Sequence, residues 1–464
     1  MSVLAPPRES EALRRLAALS GQNLFACYQC GKCTAGCPFS FSPQQVVRHL
    51  QLGQVARAAA LDTVWDCASC MTCTATCPKG VDPARIMRAL RALPCDGDDG
   101  RPAVGGAEHG PLGIGGLGGR RPSRHGNRRR AWMVANNHRL ARVGSRLAPV
   151  SNWLLRAPGM GWATDRLLGV HHDRPLPPCA RPTFPTWFGR HTPSGDGHRG
   201  TVLLFHDTFM DFNFPDAGIA ATELLERAGF RVELTDTVCC GRPMISKGFV
   251  EQAREHARAN LSRLYEHARE GTYIVGCEPS CLLTLRSEYP ELVRGSDLEQ
   301  QALAVARQSL LIDELLLLLR DRGELELQFA EELPGRRPVL FHAHCHQKAF
   351  AKPGASLELL RLAGYEAELV NADCCGMAGA FGYEKEHYGL SRAAGERGLF
   401  PAVRAREDAD IVVLGVSCRQ QVEHFTGRPT RHLAEMLRDA LREPASSPAA
   451  SPQPEASRGS GGPV

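Results

Sequence analysis

The chain has 464 residues, and its 55 Lys and Arg against 50 Asp and Glu leave a formal net charge of +5, too mild for a nucleic-acid footprint. At about 150 residues per domain this length predicts roughly three domains, with a core that needs no disulfide staples. Residues 1–10 lack the apolar run of a secretory leader, and the most apolar stretch, 310–319, is interrupted by Asp313 and Glu314, well short of the about 20 residues that span a bilayer. A cytoplasmic protein is expected, at most peripheral on the inner face of the membrane. Its 18 cysteines therefore read as metal ligands or redox thiols. Sixteen fall into four groups of four, and only Cys95 and Cys179 stand outside.

In chain order, residues 1–93 hold two cysteine groups in a helical context. Residues 94–130 alternate Gly pairs such as Gly105–Gly106 and Gly118–Gly119 with Pro and Arg, which predicts a flexible linker. Residues 131–199 read as an irregular connecting arm with short helices, marked by Trp132, Trp153, Trp162 and Trp187, whose aromatics pack on the body or on a partner. From Gly200 strands (201–206, 231–235, 273–276) alternate with helices (216–228, 250–267). The order returns with strands at 338–342, 367–370 and 410–415 and helices at 356–362 and near 383–397. Such alternation predicts α/β units with mostly parallel sheets, one over 200–330 and one over 331–442. The Pro-, Ser- and Ala-rich tail 443–464 is expected to be disordered. The predicted class is an α+β multidomain chain: a mostly helical two-cluster ferredoxin-type head plus two pseudo-duplicated α/β Cys-Cys-Gly domains.

Two repeats underlie that class. Cys27, Cys30, Cys33 and Cys37 recur forty positions later as Cys67, Cys70, Cys73 and Cys77, each set followed by Pro (Pro38, Pro78). In the second repeat, Cys239–Cys240–Gly241 returns as Cys374–Cys375–Gly376, Phe205–His206 as Phe341–His342 and Cys281 as Cys418.

The head motifs, CYQCGKCTAGCP and CASCMTCTATCP, carry specific chemistry. Three thiolates on a tight loop wrap three irons of one cubane, and the fourth Cys is carried away to ligate the other cluster. One [4Fe–4S] site is thus assigned to Cys27, Cys30, Cys33 and Cys77, and a second to Cys67, Cys70, Cys73 and Cys37. Small residues between the ligands (Gly31, Ala35, Gly36, Ala68, Ser69) leave backbone N–H groups free to face sulfide. Zinc sites instead pair C-x₂₋₄-C with a longer spacer. The segments GKCTAGCP, QVVRHLQLG and WDCASCMTCTATCPKGVDPARIMRALR resemble the small ferredoxin-like subunit of heterodisulfide reductases over residues 24–93.

Adjacent cysteines suit a polynuclear cluster better than a single ion, and the Gly after each pair permits a sharp turn that exposes both thiols. Such sites lie at the carboxyl ends of the strands of an open α/β sheet. The first repeat offers Cys239, Cys240, Cys277 and Cys281, the second Cys345, Cys374, Cys375 and Cys418. CCGRP, CCGMAGAFG, GCEPSC and VSC resemble the paired cysteine-rich domains of heterodisulfide reductase catalytic subunits and of glycolate oxidase and glycerol-3-phosphate dehydrogenase iron–sulfur subunits. FHDTFMDFNFP and FHAHCHQKA are similar to the C-terminal part of flavin-linked D-2-hydroxyacid dehydrogenases. The family pattern is one Cys, then CC, then C-x₂-C, and this chain departs from it. Asp207 or Phe209 stands near the expected first Cys of repeat one, whose last pair is C-x₃-C, and repeat two ends in Cys418 alone. With four thiols per repeat, clusters in both repeats, in one or in neither stay open, as do fused clusters shared by both. His206 and His342 read as strand-end caps facing water. His344 and His346 are balanced between that role and ligation, sulfur hydrogen bonding or proton transfer. Asp207 ranks low as a ligand, because a carboxylate is hard for a soft site. Candidates for catalysis are Cys239, Cys240, Cys374, Cys375, His344 and His346.

The Gly-rich stretch 105–119 follows no strand and opens no helix, so no dinucleotide fingerprint is formed; no flavin or nicotinamide is expected in this chain. Arg128–Arg130 read as a solvated linker run ahead of a dock for an acidic partner or an anionic membrane face. The expected function is an iron–sulfur oxidoreductase subunit that relays electrons through two [4Fe–4S] clusters and one or two further clusters in the Cys-Cys-Gly domains. It would serve a flavin-containing 2-hydroxyacid dehydrogenase subunit, with quinone, ferredoxin or a disulfide as redox partner. A heterodisulfide reductase-like thiol–disulfide enzyme is the alternative, and a non-enzymatic iron–sulfur sensor a minor one.

Overall fold

The computed structural model describes residues 11–92, 128–330 and 337–442. Cys95, most of the expected linker and the tail 443–464 lie outside the described residues. The head is helical. Val46, Val47 and Leu50 on the helix Pro43–Gln51 and Ile86, Met87 and Leu90 on the helix Pro83–Ala92 repeat at helical spacing and close a core with Leu16. Each cysteine loop ends in a single turn, Lys32–Ala35 or Thr72–Ala75, entered through a left-handed residue, Gly31 or Met71.

The body contains two four-stranded, all-parallel sheets. β1 (Thr201–Leu204), β2 (Arg231–Leu234), β3 (Ile274–Gly276) and β4 (Ser309–Leu311) run in the order β2-β1-β3-β4. β5 (Val339–His342), β6 (Ala367–Leu369), β7 (Asp410–Val413) and β8 (Thr430–His432) run in the order β6-β5-β7-β8. Leu203 pairs with Ile274 in the first sheet and Phe341 with Val412 in the second. The central strands β3 and β5 are buried throughout, as befits parallel sheets covered on both faces. The sheets share one core: the helix Asp216–Arg227 packs on Leu433–Asp439, and Ile312–Asp321 packs on Pro353–Leu362. Each pair joins the helix after the first strand of one unit to the helix after the last strand of the other, a reciprocal arrangement.

Sequence reasoning did not anticipate β4 and β8. Both are three residues long and run without a break into helices, so SLLIDELLLLL reads as one helical run. The arm is more regular than expected, with helices Arg128–Ala135, Asn137–Arg146, Ala148–Arg156 and Met160–Leu168; the first begins inside the expected linker.

Candidate iron–sulfur centres

Two compact cysteine pockets occupy the head. Cys27, Cys30, Cys33 and Cys77 line the outer one with Val47, Val81 and Pro78. Cys37, Cys67, Cys70 and Cys73 line the inner one with Phe39, Phe41, Ala84 and Met87. In each loop the backbone adopts positive φ twice, at Gln29 and Gly31 and at Ser69 and Met71. Non-glycine residues rarely sit there, and the curl turns N–H groups into the loop to make an anion-binding nest; the Ser69 amide donates to the Cys67 sulfur at 3.3 Å. Thiolates, amide donors and apolar walls fit [4Fe–4S] clusters. The inner pocket is also ringed by arginines that hold its backbone. Arg91 donates to the Cys67 carbonyl at 2.7 Å, Arg397 to that of Cys37 at 3.0 Å and Arg242 to that of Ser69 at 3.3 Å.

The second Cys-Cys-Gly unit brings its four cysteines together. The Cys374 thiol is in hydrogen-bond contact with Cys345, Cys375 and Cys70, and Cys375 with Cys374 and Cys418. Gly376 makes the turn possible: its φ is +93°, and a Cβ there would come within 2.0 Å of the Ser391 carbonyl oxygen. Contact with Cys345 pushes Cys374 well up, while hydrogen bonds from Cys374 and Cys418 pull Cys375 well down. Buried sulfurs packed this closely hold their thiolate charges together only when a cation neutralises them, so the donor set fits a metal cluster. Cys70 carries the contact across to the head; its thiol is lowered to about 7, chiefly by Cys374.

The histidines divide differently from expectation. His344 caps the helix Cys345–Phe350 by accepting from the His346 amide at 3.2 Å. His346 faces Arg242 Nη2 at 3.0 Å, with its Nδ1 3.8 Å from Cys345 Sγ. Burial lowers both imidazoles, and their ring nitrogens lie within 4.8 Å of the Cys345 sulfur and of each other. His342 does not face water: it is buried with both ring nitrogens unpartnered, and burial lowers it to about 3. His206 is half-buried rather than turned to water. It contacts Asp211 Oδ1 and the Thr235 carbonyl, each at 2.8 Å, and although burial lowers its pKa, the Asp211 hydrogen bond more than offsets that. A strand-end position did not betray how much chain folds over each ring.

The first unit is built to the same plan with a different donor set. Cys240 contacts both Cys239 and Cys281. The position of Cys345, first in the helix after the leading strand, is taken here by Thr208, not by Asp207 or Phe209. Thr208 contacts Cys239 and lies 3.0 Å from Nδ1 of His138, which the arm inserts beside it. Asp207 is the helix N-cap, its Oδ1 accepting from the Phe209 and Met210 amides; burial and Glu278 raise it to about 7. Cys277 is separated from the expected foursome. It packs in the core shared by the two sheets, whereas Cys239, Cys240 and Cys281 pack in a separate cluster with Leu261, Leu264 and Tyr289; burial raises the Cys277 thiol. It lines a cavity between the two units, opposite Val413, Gly415 and His432.

Two further residues escaped sequence reasoning. Glu278 Oε2 accepts from the Val416 amide at 2.8 Å, so a carboxylate of the first unit caps a helix of the second. Arg242, which follows Cys239-Cys240-Gly241, reaches Glu288 and His346 at 3.0 Å each and the Ser69 carbonyl. It thereby ties the first unit to the second and to the head. No local pattern marks contacts spanning 104 to 173 positions. Cys179 takes no part in any cysteine group; its sulfur packs beneath Gly144 of the arm.

A 4Fe-4S dicluster domain model matches residues 26–81, and a cysteine-rich domain model matches twice, at 203–286 and 339–423. One of the subunits of the anaerobic glycerol-3-phosphate dehydrogenase of Escherichia coli K12 is 28% identical over 67% of this chain and 77% of the relative. Lactate utilization protein A of a Geobacillus species is 33% identical over 39% of this chain and 74% of the relative. The D-2-hydroxyglutarate dehydrogenase of E. coli K12 is 27% identical over 52% of this chain but only 23% of its own length. A dicluster head joined to cysteine-rich domains defines an iron–sulfur oxidoreductase of the electron-transport type. Within that class, the chain belongs to the cysteine-rich family that includes lactate utilization protein A.

Proposed function

We propose that this chain is the electron-carrying subunit of a flavin-linked dehydrogenase that oxidises a small 2-hydroxyacid or a related alcohol, the flavin residing in a separate subunit and quinone accepting the electrons. The observation that carries this reading is the continuity of the cysteine sets. The outer pocket adjoins the inner one, and Cys70 of the inner pocket touches Cys374 of the second Cys-Cys-Gly unit. Iron–sulfur clusters bound in these sets supply one-electron carriers at short spacing. In this reading Cys27, Cys30, Cys33 and Cys77 hold the first, Cys37, Cys67, Cys70 and Cys73 the second, and Cys345, Cys374, Cys375 and Cys418 a third.

The chain's own residues supply the rest. Phe39 and Phe381 pack beside Cys70 and Cys374 and keep water from the junction. Arg91, Arg397 and Arg242 place positive charge around the inner set, favouring its electron-rich state. Enclosure of the third set against the head favours relay over disulfide cleavage, which needs a substrate-sized opening at the sulfurs. The first unit, with three thiols, Thr208 and His138, serves as the partner half of a duplicated pair and holds no cluster. The units are the head 1–93, the arm 131–199 and the two Cys-Cys-Gly units 200–330 and 331–442. Iron and acid-labile sulfide per chain test this on anaerobically purified full-length protein: about twelve of each supports three tetranuclear sites, whereas about eight or about sixteen overturns the assignment.

A further inference from the structure

The arm presents an outer face that the redox reading does not use. Its inner face is seated on the first unit. His138 meets Thr208 and the Ser145 hydroxyl donates to the Phe212 carbonyl at 3.1 Å, while Asn152 ties the third helix to the arm's own Cys179 backbone at 2.9 and 2.8 Å. The opposite face of the same helices is exposed and apolar, through Leu140, Val143 and Leu147, then Val150, Trp153 and Leu154, then Trp162. Trp153 and Trp162 are each 71% exposed. Trp132, Met133, Leu140 and Leu168 line one shallow recess, which brings the first, second and fourth arm helices onto a common surface.

Charge on this face has one sign. Residues 137–168 contain five arginines (Arg139, Arg142, Arg146, Arg156, Arg166) and one acidic residue, Asp165. All five arginines are exposed, and among the described residues none lies within ion-pair distance of a carboxylate. Asp165 is already engaged, by Lys385 at 3.1 Å and His172 at 3.2 Å. Along Asn137–Arg146 the outer positions read Arg139-Leu140, Arg142-Val143 and Arg146-Leu147, cation beside hydrophobe at each turn. A protein–protein interface usually gathers its apolar residues at a centre and its charges at a rim. A cationic row (Arg139, Arg142, Arg146) flanking an apolar row (Leu140, Val143, Leu147), with tryptophans beyond, suits helices lying in the headgroup layer of a bilayer. There the aliphatic and indole groups enter the acyl boundary and guanidinium groups pair with lipid phosphates.

We propose that the outer face of residues 137–168 docks this protein on the anionic surface of a membrane, lying on it without crossing it. Among the described residues no helix is long and apolar enough to span. The inference stands apart from the electron path: lipid binding is read without turnover, so either claim can fail alone.

The test is co-sedimentation of the full-length chain with phosphatidylcholine vesicles, with and without phosphatidylglycerol as about a third of the lipid. Binding is expected to the anionic vesicles only, to weaken as salt is raised, and to shift tryptophan emission to the blue as Trp153 and Trp162 leave water. The R139E/R142E/R146E variant is expected to bind at least about 100-fold more weakly, at roughly fivefold per arginine lost. The W153A/W162A variant is expected to lose the emission shift and about tenfold in binding. Circular dichroism and iron content check that each variant folds. Three results would overturn the proposal: no sedimentation of the wild type with anionic vesicles, unchanged binding by the arginine variant, or stoichiometric burial of this face by a partner protein that vesicles do not displace.

Discussion

The two Cys-Cys-Gly units share strand order, parallel register and the turn after the paired cysteines, yet they end with different sites. The second gathers Cys345, Cys374, Cys375 and Cys418 and presses Cys374 against Cys70 of the head. The first gathers three sulfurs, puts Thr208 where the fourth belongs and receives His138 from the arm. Its fourth cysteine, Cys277, lines the cavity between the units instead. One architecture therefore places equivalent positions at the strand ends, and the residue types found there decide which donors each site gathers. Position relative to the head is the second difference. The first unit meets the head through ion pairs, Arg88 with Glu288 at 3.0 Å and Arg85 with Glu291, and through Arg242 on the Ser69 carbonyl, whereas the second adds the Cys374–Cys70 sulfur contact to Phe381 on Phe39 and Arg397 on the Cys37 carbonyl.

The largest effect is expected from removing sulfurs of the second unit. The double variant C374S/C375S should lose about four irons per chain and block electron passage beyond the head, whereas C239S/C240S should keep the wild-type iron content. Equal iron loss in the two variants would erase the comparison. Next is Thr208. If donor type alone separates the sites, T208C combined with H138A should raise iron content by about four per chain and add a new EPR signal; unchanged iron would show that the surroundings of the first site also exclude a cluster.

A smaller effect concerns Arg242, which belongs to the first unit by sequence and serves the second by contact. R242M leaves Glu288 with Arg88 as its remaining ion-pair partner and removes the guanidinium beside His346. It should lower stability by about 2–4 kcal/mol in denaturant unfolding of the full chain and shift the reduction potential of the inner head site downward; R242K should restore part of both. The smallest effect is a pH limb. Glu384 sits where the arm and both units meet, contacting Lys247, His387 and Arg130. Although burial raises its pKa, these partners outweigh that and hold it at about 2. A depressed carboxyl stabilises the fold above its unfolded pKa near 4.5, and that contribution disappears as pH falls towards about 2. E384Q should therefore lower stability at neutral pH and flatten the acid limb between those values; an unchanged limb would mean that other carboxylates govern it.

The grouping of the head cysteines is written locally: the loops gather Cys27, Cys30, Cys33 and Cys77 on one side and Cys37, Cys67, Cys70 and Cys73 on the other. Strand alternation gave most of the body, from 201–204 to 410–413. β4 and β8 were hidden by continuity with apolar helices. The Cys277 grouping failed because spacing counts thiols without showing which side of a turn each faces. His342, Arg242 and Glu278 were unreadable for a common reason. Their environments are made by segments far away in the chain, and burial of a histidine or pairing of an arginine leaves no period in the sequence.

In the proposed relay the head and the second unit form one electron path through the Cys70–Cys374 contact, and the first unit stays outside it. Spin coupling measured by EPR on the reduced full-length protein tests it most directly. The expected spectrum shows magnetic interaction between head and body centres that disappears in C374S/C375S and survives in C239S/C240S. Uncoupled spectra in the wild type, or coupling lost through the first-unit variant, would contradict it.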